Sequence, residues 1–320
     1  MQAAQPLAVA VIGCGAHGRG HVLHFTELPE ARGVAVADTE RERARGVAEA
    51  FSVPHHYADY RDLLANHALD IVSLALPPTA NRDAALAAFA AGAHVMASKP
   101  LAANLAQAED IVAAAKAADK LLTMGMQNRF TPEVRALRQI VAERRLGHVF
   151  HTRLWHGHEM HIPPTPTMYR RDLAGGGALF HTTVHMPAPP ATWQAPVAAC
   201  DIEDFNIGLV HFANGSTMTI ESNWLMHPRP RQSGAELLGD HGTASLRPLK
   251  LELEEDGAIV DATPSLPTHL PHAFGEACRD FCRAVCDNAL PAIRFSEMLD
   301  VQRIMDALYR SAAQGREVEL

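Results

Sequence analysis

The sequence predicts an α/β chain in which a doubly wound parallel sheet is followed by an α+β domain with an open, mostly antiparallel sheet. Three observations predict it. Short continuous apolar runs recur through the first 126 residues with helix-like stretches between them, a pattern that suits strands buried on both faces of a parallel sheet. Beyond residue 127 the character becomes strand-like and turn-rich, with Asn214-Gly215 between two runs as a strong hairpin signal. A length of 320 residues, at roughly 150 per domain, leaves room for two domains.

The first run, LAVAVI from Leu7 to Ile12, leads at once into glycines and then into a helix ending near Leu28. VAVA at Val34 to Ala37 ends on Asp38, and IVSLAL at Ile71 to Leu76 ends on Pro77 and Pro78. The alanine-rich stretch Asn81 to Ala91 reads as a helix stopped by Gly92. Asn104 and Gln107 have capping-box spacing and open a helix to about Ala118. HVMA at His94 to Ala97 and LLTMGM at Leu121 to Met126 supply further strands. Residues 1–126 thus form one expected domain and residues 127–320 the other. Thr131 as N-cap before Pro132 opens the second with a helix that Gly147 ends. Strands follow at Phe205 to Phe212 and Ser216 to Ser222, and two helices close the chain at about His272 to Asn288 and Ser296 to Ala313. Their apolar residues, among them Phe281, Val285, Leu299, Ile304 and Leu308, recur at helical spacing.

Composition excludes several function classes. With 28 Lys+Arg against 36 Asp+Glu the formal charge is −8, so no global field draws a nucleic-acid backbone. No 18 apolar residues run together and Met1 to Pro6 lacks a basic start, so a membrane span and a secretory signal are not expected, and the cytoplasm is the expected compartment. Of five cysteines, Cys278, Cys282 and Cys286 recur every fourth residue without a CxxC pair. They are expected to be reduced core thiols on one helix face, with zinc binding as the alternative. Nineteen histidines, six of them between His151 and His185, are the unusual feature.

Gly13, Gly15 and Gly18 form G-x-G-x-x-G directly after the first strand. In that setting the first glycine permits a tight turn, the second lets a pyrophosphate approach the backbone, and the third lets helix and strand pack closely. Ala16 and His17 lie inside the same turn, where a helix N-terminus would face bound phosphates. Asp38 stands 20 residues beyond Gly18 at the end of the second run, the expected place for a carboxylate that accepts from adenine-ribose hydroxyls. Like charge between Asp38 and a 2'-phosphate favours NAD, with NADP kept as the alternative because Arg41 and Arg43 lie close by.

The stretch LPPTANRDAALAAFAAGAHVMASKPLA, Leu76 to Ala102, with its Lys99-Pro100 pair, resembles the glucose-fructose oxidoreductase and inositol dehydrogenase family (Gfo/Idh/MocA). The resemblance extends over nearly the whole chain through the fingerprint glycines, QNRF at Gln127 to Phe130, AGGGAL at Ala174 to Leu179, His185, FANGS at Phe212 to Ser216 and the terminal SAAQGREVEL. It implies a Rossmann domain followed by an α/β domain whose open sheet often makes oligomer contacts, hence a homodimer or homotetramer. It also implies NAD(P)-dependent hydride transfer to or from a sugar, polyol or related cyclic hydroxy compound, with Pro77 and Asn81 beside the cofactor. Lys99, at the end of an expected parallel strand, suits the charge stabilisation of a developing alkoxide. His185 matches the family's catalytic histidine, an imidazole able to shuttle the hydroxyl proton.

Three positions depart from the family pattern. His181 stands where an Asp is usual, Ser98 where a Glu precedes the lysine, and Asn81 where a His follows the Pro-Pro turn. The pair His181-x-x-x-His185 is similar to carboxylated hydroxymuconate semialdehyde dehydrogenases of aromatic catabolism, so a carboxylated hemiacetal is an alternative substrate. Arg129, Arg153, Arg170 or Arg171 would then bind its carboxylate. NAD-dependent glycosidases without net redox change, and family members that only bind nucleotide, are further alternatives. His181 and His185 also have the spacing of a zinc pair, with His156, His158 or His161 as a third ligand. No Glu follows His181 as in H-E-x-x-H. The expectation is therefore a metal-free pocket in which His156, His181, Arg129 and Arg170 contact substrate and His181 joins Lys99 and His185 in catalysis.

Overall fold

A computed structural model describes residues 5–159, 170–182, 202–226, 233–267 and 272–320. The chain divides into two compact units, one formed by residues 1–126 together with 274–320 and the other by residues 127–273.

The first unit is built on six parallel strands, β1 (Leu7–Ile12), β2 (Ala31–Ala37), β3 (His55–Tyr57), β4 (Ile71–Leu74), β5 (His94–Ala97) and β6 (Leu122–Met124). Their order across the sheet is β3-β2-β1-β4-β5-β6, the doubly wound order of the Rossmann fold, whose direction reverses between β1 and β4. The strand runs are almost wholly buried because helices cover both faces, so that Val9, Ala10, Val11, Ile71, Val72 and Val95 all lie in the core. The crossover helices are α1 (Ala16–Thr26), α2 (Arg41–Ala50), α3 (Tyr60–Asn66), α4 (Pro78–Ala90) and α5 (Leu105–Ala117). Helix α4 begins three residues before the expected Asn81 because Pro78 supplies a preset first helical position. The Asn104 side chain accepts from the Gln107 amide at 3.0 Å, as the cap spacing predicts.

Helices α9 and α10 of the second expected domain join the first unit instead. They span Ala273–Cys286 and Phe295–Gln314. Asp306 accepts from the Leu105 amide at 2.9 Å at the start of α5, Arg303 approaches Glu109 at 3.8 Å, and Lys116 lies over the Phe295 ring at 5.9 Å. The apolar stripe of α10, including Met298 and Met305, is buried, so the C-terminal stretch completes the core of the first unit rather than extending the second. On α9, Cys278 and Cys282 are buried and Cys286 is exposed, and burial pushes the Cys282 thiol up to about 12, as suits inert reduced thiols.

The second unit opens with a 3-10 turn at Gln127–Phe130 and α6 (Pro132–Ala142), capped by Thr131, whose hydroxyl accepts from the Val134 amide at 3.4 Å. Helix α6 ends before the predicted Gly147, which instead closes the following turn with φ +68°. Two short helices, α7 (Arg171–Ala174) and α8 (Ala178–Thr182), flank the glycine run. Seven strands form the sheet: β7 (Val149–Glu159), β8 (Phe205–His211), β9 (Thr217–Met226), β10 (Ser233–Gly239), β11 (Gly242–Leu246), β12 (Lys250–Glu255) and β13 (Ala258–Asp261). In the order β13-β12-β11-β10-β7-β9-β8 every pair is antiparallel except β7 with β9. Leu137 and Ile140 of α6 pack with Ala244, Leu251 and Leu253 on one face. The other face stays open, with Phe205, Ile207 and Leu209 exposed along β8. No helix among the described residues is long and apolar enough to cross a membrane.

Candidate active site

The reversal point of the parallel sheet places the end of β1 beside the end of β4, where the Ala75 amide donates to the Ile12 carbonyl at 2.8 Å. Gly13 turns away there with φ +95°, and a Cβ on it would collide with the Ala75 carbonyl oxygen. A Cβ on Gly18 would collide with the Gly13 carbonyl, so strand and helix touch through two glycines. Gly15 differs. It is the N-cap of α1, no side chain caps that helix start, and a Cβ on it would meet nothing of the protein. Ala16 and His17, the first residues of α1, are exposed, so the uncapped helix start is open to an anionic group such as a pyrophosphate.

Asp38, at the end of β2, is buried and oriented. One carboxylate oxygen accepts from the Cys14 amide at 2.8 Å, the other from the Glu40 amide at 2.9 Å and from Arg43 Nη1 at 3.0 Å. Arg43 is also paired with Glu40. Pro77 sits half-buried at the end of β4, as N-cap of α4.

Lys99 follows β5, next to a cis Lys99-Pro100 peptide. Its surface is only partly open, and the loss of water around the ammonium lowers its pKa to about 8. His17 is lowered as well, first by desolvation and then by the Lys99 charge, although its surface remains open. These two groups and the glycine turn thus share the carboxyl end of one parallel sheet, where open α/β sheets take ligands. Asn81, expected beside the cofactor, has another place. Its side chain is wholly buried, and its amide nitrogen donates to the Pro100 and Leu101 carbonyls at 3.3 and 3.1 Å. A polar residue on the buried side of α4 is held inward by those two carbonyls, so Asn81 braces the loop that carries Lys99.

Beneath that loop lies a residue for which the motif reading found no role. His21, on α1, is buried, with Nδ1 2.7 Å from Ser73 Oγ and Nε2 3.4 Å from Ser98 Oγ. Its spacing from His17, one helical turn, was the available signal.

In the second unit the expected substrate residues lie on several elements. His156 is buried on β7 with Nδ1 2.8 Å from Ser233 Oγ. Arg170 is exposed and holds Asp172 through two hydrogen bonds at 3.0 and 2.6 Å, so its guanidinium is already engaged by a carboxylate. Arg171 is exposed, Arg129 is half-buried in the 3-10 turn, and Arg153 lies over the Trp155 ring at 5.1 Å. His181 belongs to α8, while His185 and His161 lie outside the described residues. Among the described residues no three His, Cys, Asp or Glu side chains are grouped to hold a metal ion.

A profile of the Gfo/Idh/MocA oxidoreductase family, described as having an NAD-binding Rossmann fold, matches residues 7–126. Residues 7–126 are a Gfo/Idh/MocA NAD-binding domain. The chain is similar along its length to D-glucoside 3-dehydrogenase of Escherichia coli (strain K12), 24% identical over 98% of both chains. It is also similar to D-xylose 1-dehydrogenase (NADP(+)) 2 of Haloferax volcanii, 26% identical over 97% of this chain and 98% of that one. Among solved structures, levoglucosan dehydrogenase in complex with NADH superimposes with a TM-score of 0.84 at 21% identity, covering 98% of each chain. That likeness establishes the fold of both units. The match to an oxidoreductase family with an NAD-binding Rossmann fold makes the chain an oxidoreductase with NAD as its cofactor, and the glycine turn and Asp38 are the features that fit it.

Proposed function

We propose that this Gfo/Idh/MocA protein is a dehydrogenase acting on a CH–OH group of a sugar, polyol or related cyclic hydroxy compound. The observation that carries the reading is Lys99, a lysine shifted toward neutrality at the ligand end of the sheet that bears the dinucleotide turn. The names of the relatives, dehydrogenases of a D-glucoside and of D-xylose, support the substrate class.

In this reading the amides after Gly13 and Gly15 hold the pyrophosphate and Asp38 accepts from the adenine-ribose hydroxyls. Bound NAD supplies the hydride acceptor at its nicotinamide ring. The Lys99 ammonium stabilises negative charge on the substrate oxygen, and His185 takes the hydroxyl proton. His181 contacts substrate or relays that proton. The second unit binds the substrate, and its open face, with Phe205, Ile207 and Leu209 exposed, supports a homodimer or homotetramer.

A panel of sugars, polyols, hydroxy acids and aromatic-catabolism intermediates, read by NADH absorbance, tests the reading. Turnover with a sugar or polyol is expected. Turnover only with a carboxylated hemiacetal would move the substrate to aromatic catabolism. Glycoside cleavage without accumulation of NADH would establish the glycosidase instead.

A further inference from the structure

Ser73 and Ser98 are hydroxyls at the ends of neighbouring parallel strands, in a mostly apolar region. Ser73 is fully buried on β4, and Ser98 follows β5, with its amide bound to the Leu74 carbonyl at 2.7 Å. Ser98 is half-buried, and a buried hydroxyl such as that of Ser73 needs a partner. One imidazole meets both, since His21 reaches Ser73 with Nδ1 at 2.7 Å and Ser98 with Nε2 at 3.4 Å. Phe274 of α9 closes its remaining side, ring centroids 4.5 Å apart. Either neutral tautomer serves, because a hydroxyl can donate or accept.

We propose that His21 is a positioning residue for Lys99: anchored on Ser73, it holds Ser98 and so fixes the strand end from which the lysine projects into its desolvated site. The inference rests on the reading of Lys99 as part of the reacting centre. His17 and His24 are the titratable groups facing His21 from its own helix, and His17 also faces Lys99. Burial draws the His21 pKa down to about 3, so the support beneath the ammonium stays uncharged across the neutral range. A cation there would repel Lys99. The lowered lysine pKa has desolvation as its cause, and desolvation lasts only while the side chain is held where it is. A Lys99 released toward water would titrate as an ordinary lysine.

The chain has four lysines, Lys99, Lys116, Lys120 and Lys250, so reductive methylation with 13C-formaldehyde gives a small set of resolvable NMR signals, and Lys99→Met assigns one of them. In the unaltered chain that signal is expected to titrate near 8. In His21→Leu and in Ser98→Ala it should climb toward the ordinary 10.5, the other three staying in place, while His21→Gln, whose amide can pair with both hydroxyls, should hold it near 8. A purely structural role would lower stability without moving one lysine selectively. If the Lys99 signal titrates unchanged in Ser98→Ala and in folded His21→Leu, the proposal is overturned. The underlying reading fails separately, through full NADH production by Lys99→Met.

Discussion

Asp38 and Arg43 are joined at 3.0 Å, so the carboxylate expected to meet the ribose already touches a guanidinium. An arginine beside the ribose is also the group that would take a 2'-phosphate, and here its position depends on Asp38. NAD should bind more tightly than NADP. Asp38→Ala should weaken NAD by about tenfold to a hundredfold, the scale of hydrogen bonds to a charged group, and should release Arg43 to improve NADP relative to NAD. Fluorescence titration with both cofactors measures this, and tighter NADP binding by the unaltered protein would reject it.

Gly15 and Gly18 share a motif but not a surrounding. Gly18→Ala forces a methyl into the Gly13 carbonyl, an overpacking expected to cost about 1–3 kcal/mol of stability. Gly15→Ala meets no protein atom, so it should fold normally and lose NAD affinity because the methyl occupies the pyrophosphate's approach. Thermal unfolding and NAD titration separate the two. Equal stability loss in both variants would contradict the assignment.

Lys99→Met and His185→Ala should each lose rate while still binding NAD, His185→Ala by about two to four orders of magnitude, the usual contribution of general acid-base catalysis. Once a substrate is found, kcat and cofactor affinity are measured side by side. Full activity in both variants would place the chemistry elsewhere.

His21 makes stability depend on pH. Its pKa is held near 3 in the folded chain against an ordinary 6.5, so below 6.5 the unfolded chain binds a proton that the folded chain refuses. Stability falls as pH falls through that window, by about 1.4 kcal/mol per pH unit from this residue. Urea unfolding between pH 6.5 and 5 should show the slope, and His21→Gln should reduce it by His21's share. The same slope in the variant would assign the effect to other groups.

Metal content tests the histidine crowd directly. Hydride transfer needs no metal because nicotinamide accepts the hydride, so elemental analysis of the purified protein should find substoichiometric zinc or none. Near-stoichiometric metal that disappears in His181→Ala would make the histidines from His156 to His185 a coordination site.

The sequence by itself determined the parts that local physics controls. Apolar runs ending in glycine or Asp38, the caps at Asn104 and Thr131 and the Asn214-Gly215 turn each satisfy their requirement within a few residues, so their order predicted a parallel sheet, a dinucleotide turn and an antiparallel half. The tertiary structure decided what depends on partners far along the chain. Helices α9 and α10 carry the amphipathic pattern of any packed helix, and only tertiary contacts, such as those α5 offers to Phe295, Arg303 and Asp306, assign them to the first unit. Asn81 and His21 are polar residues on helices whose buried faces become visible only once strands β4 and β5 lie beside them. A buried amide or imidazole must then find hydrogen-bond partners, and those partners, at Pro100, Leu101, Ser73 and Ser98, stand 19 to 77 residues away.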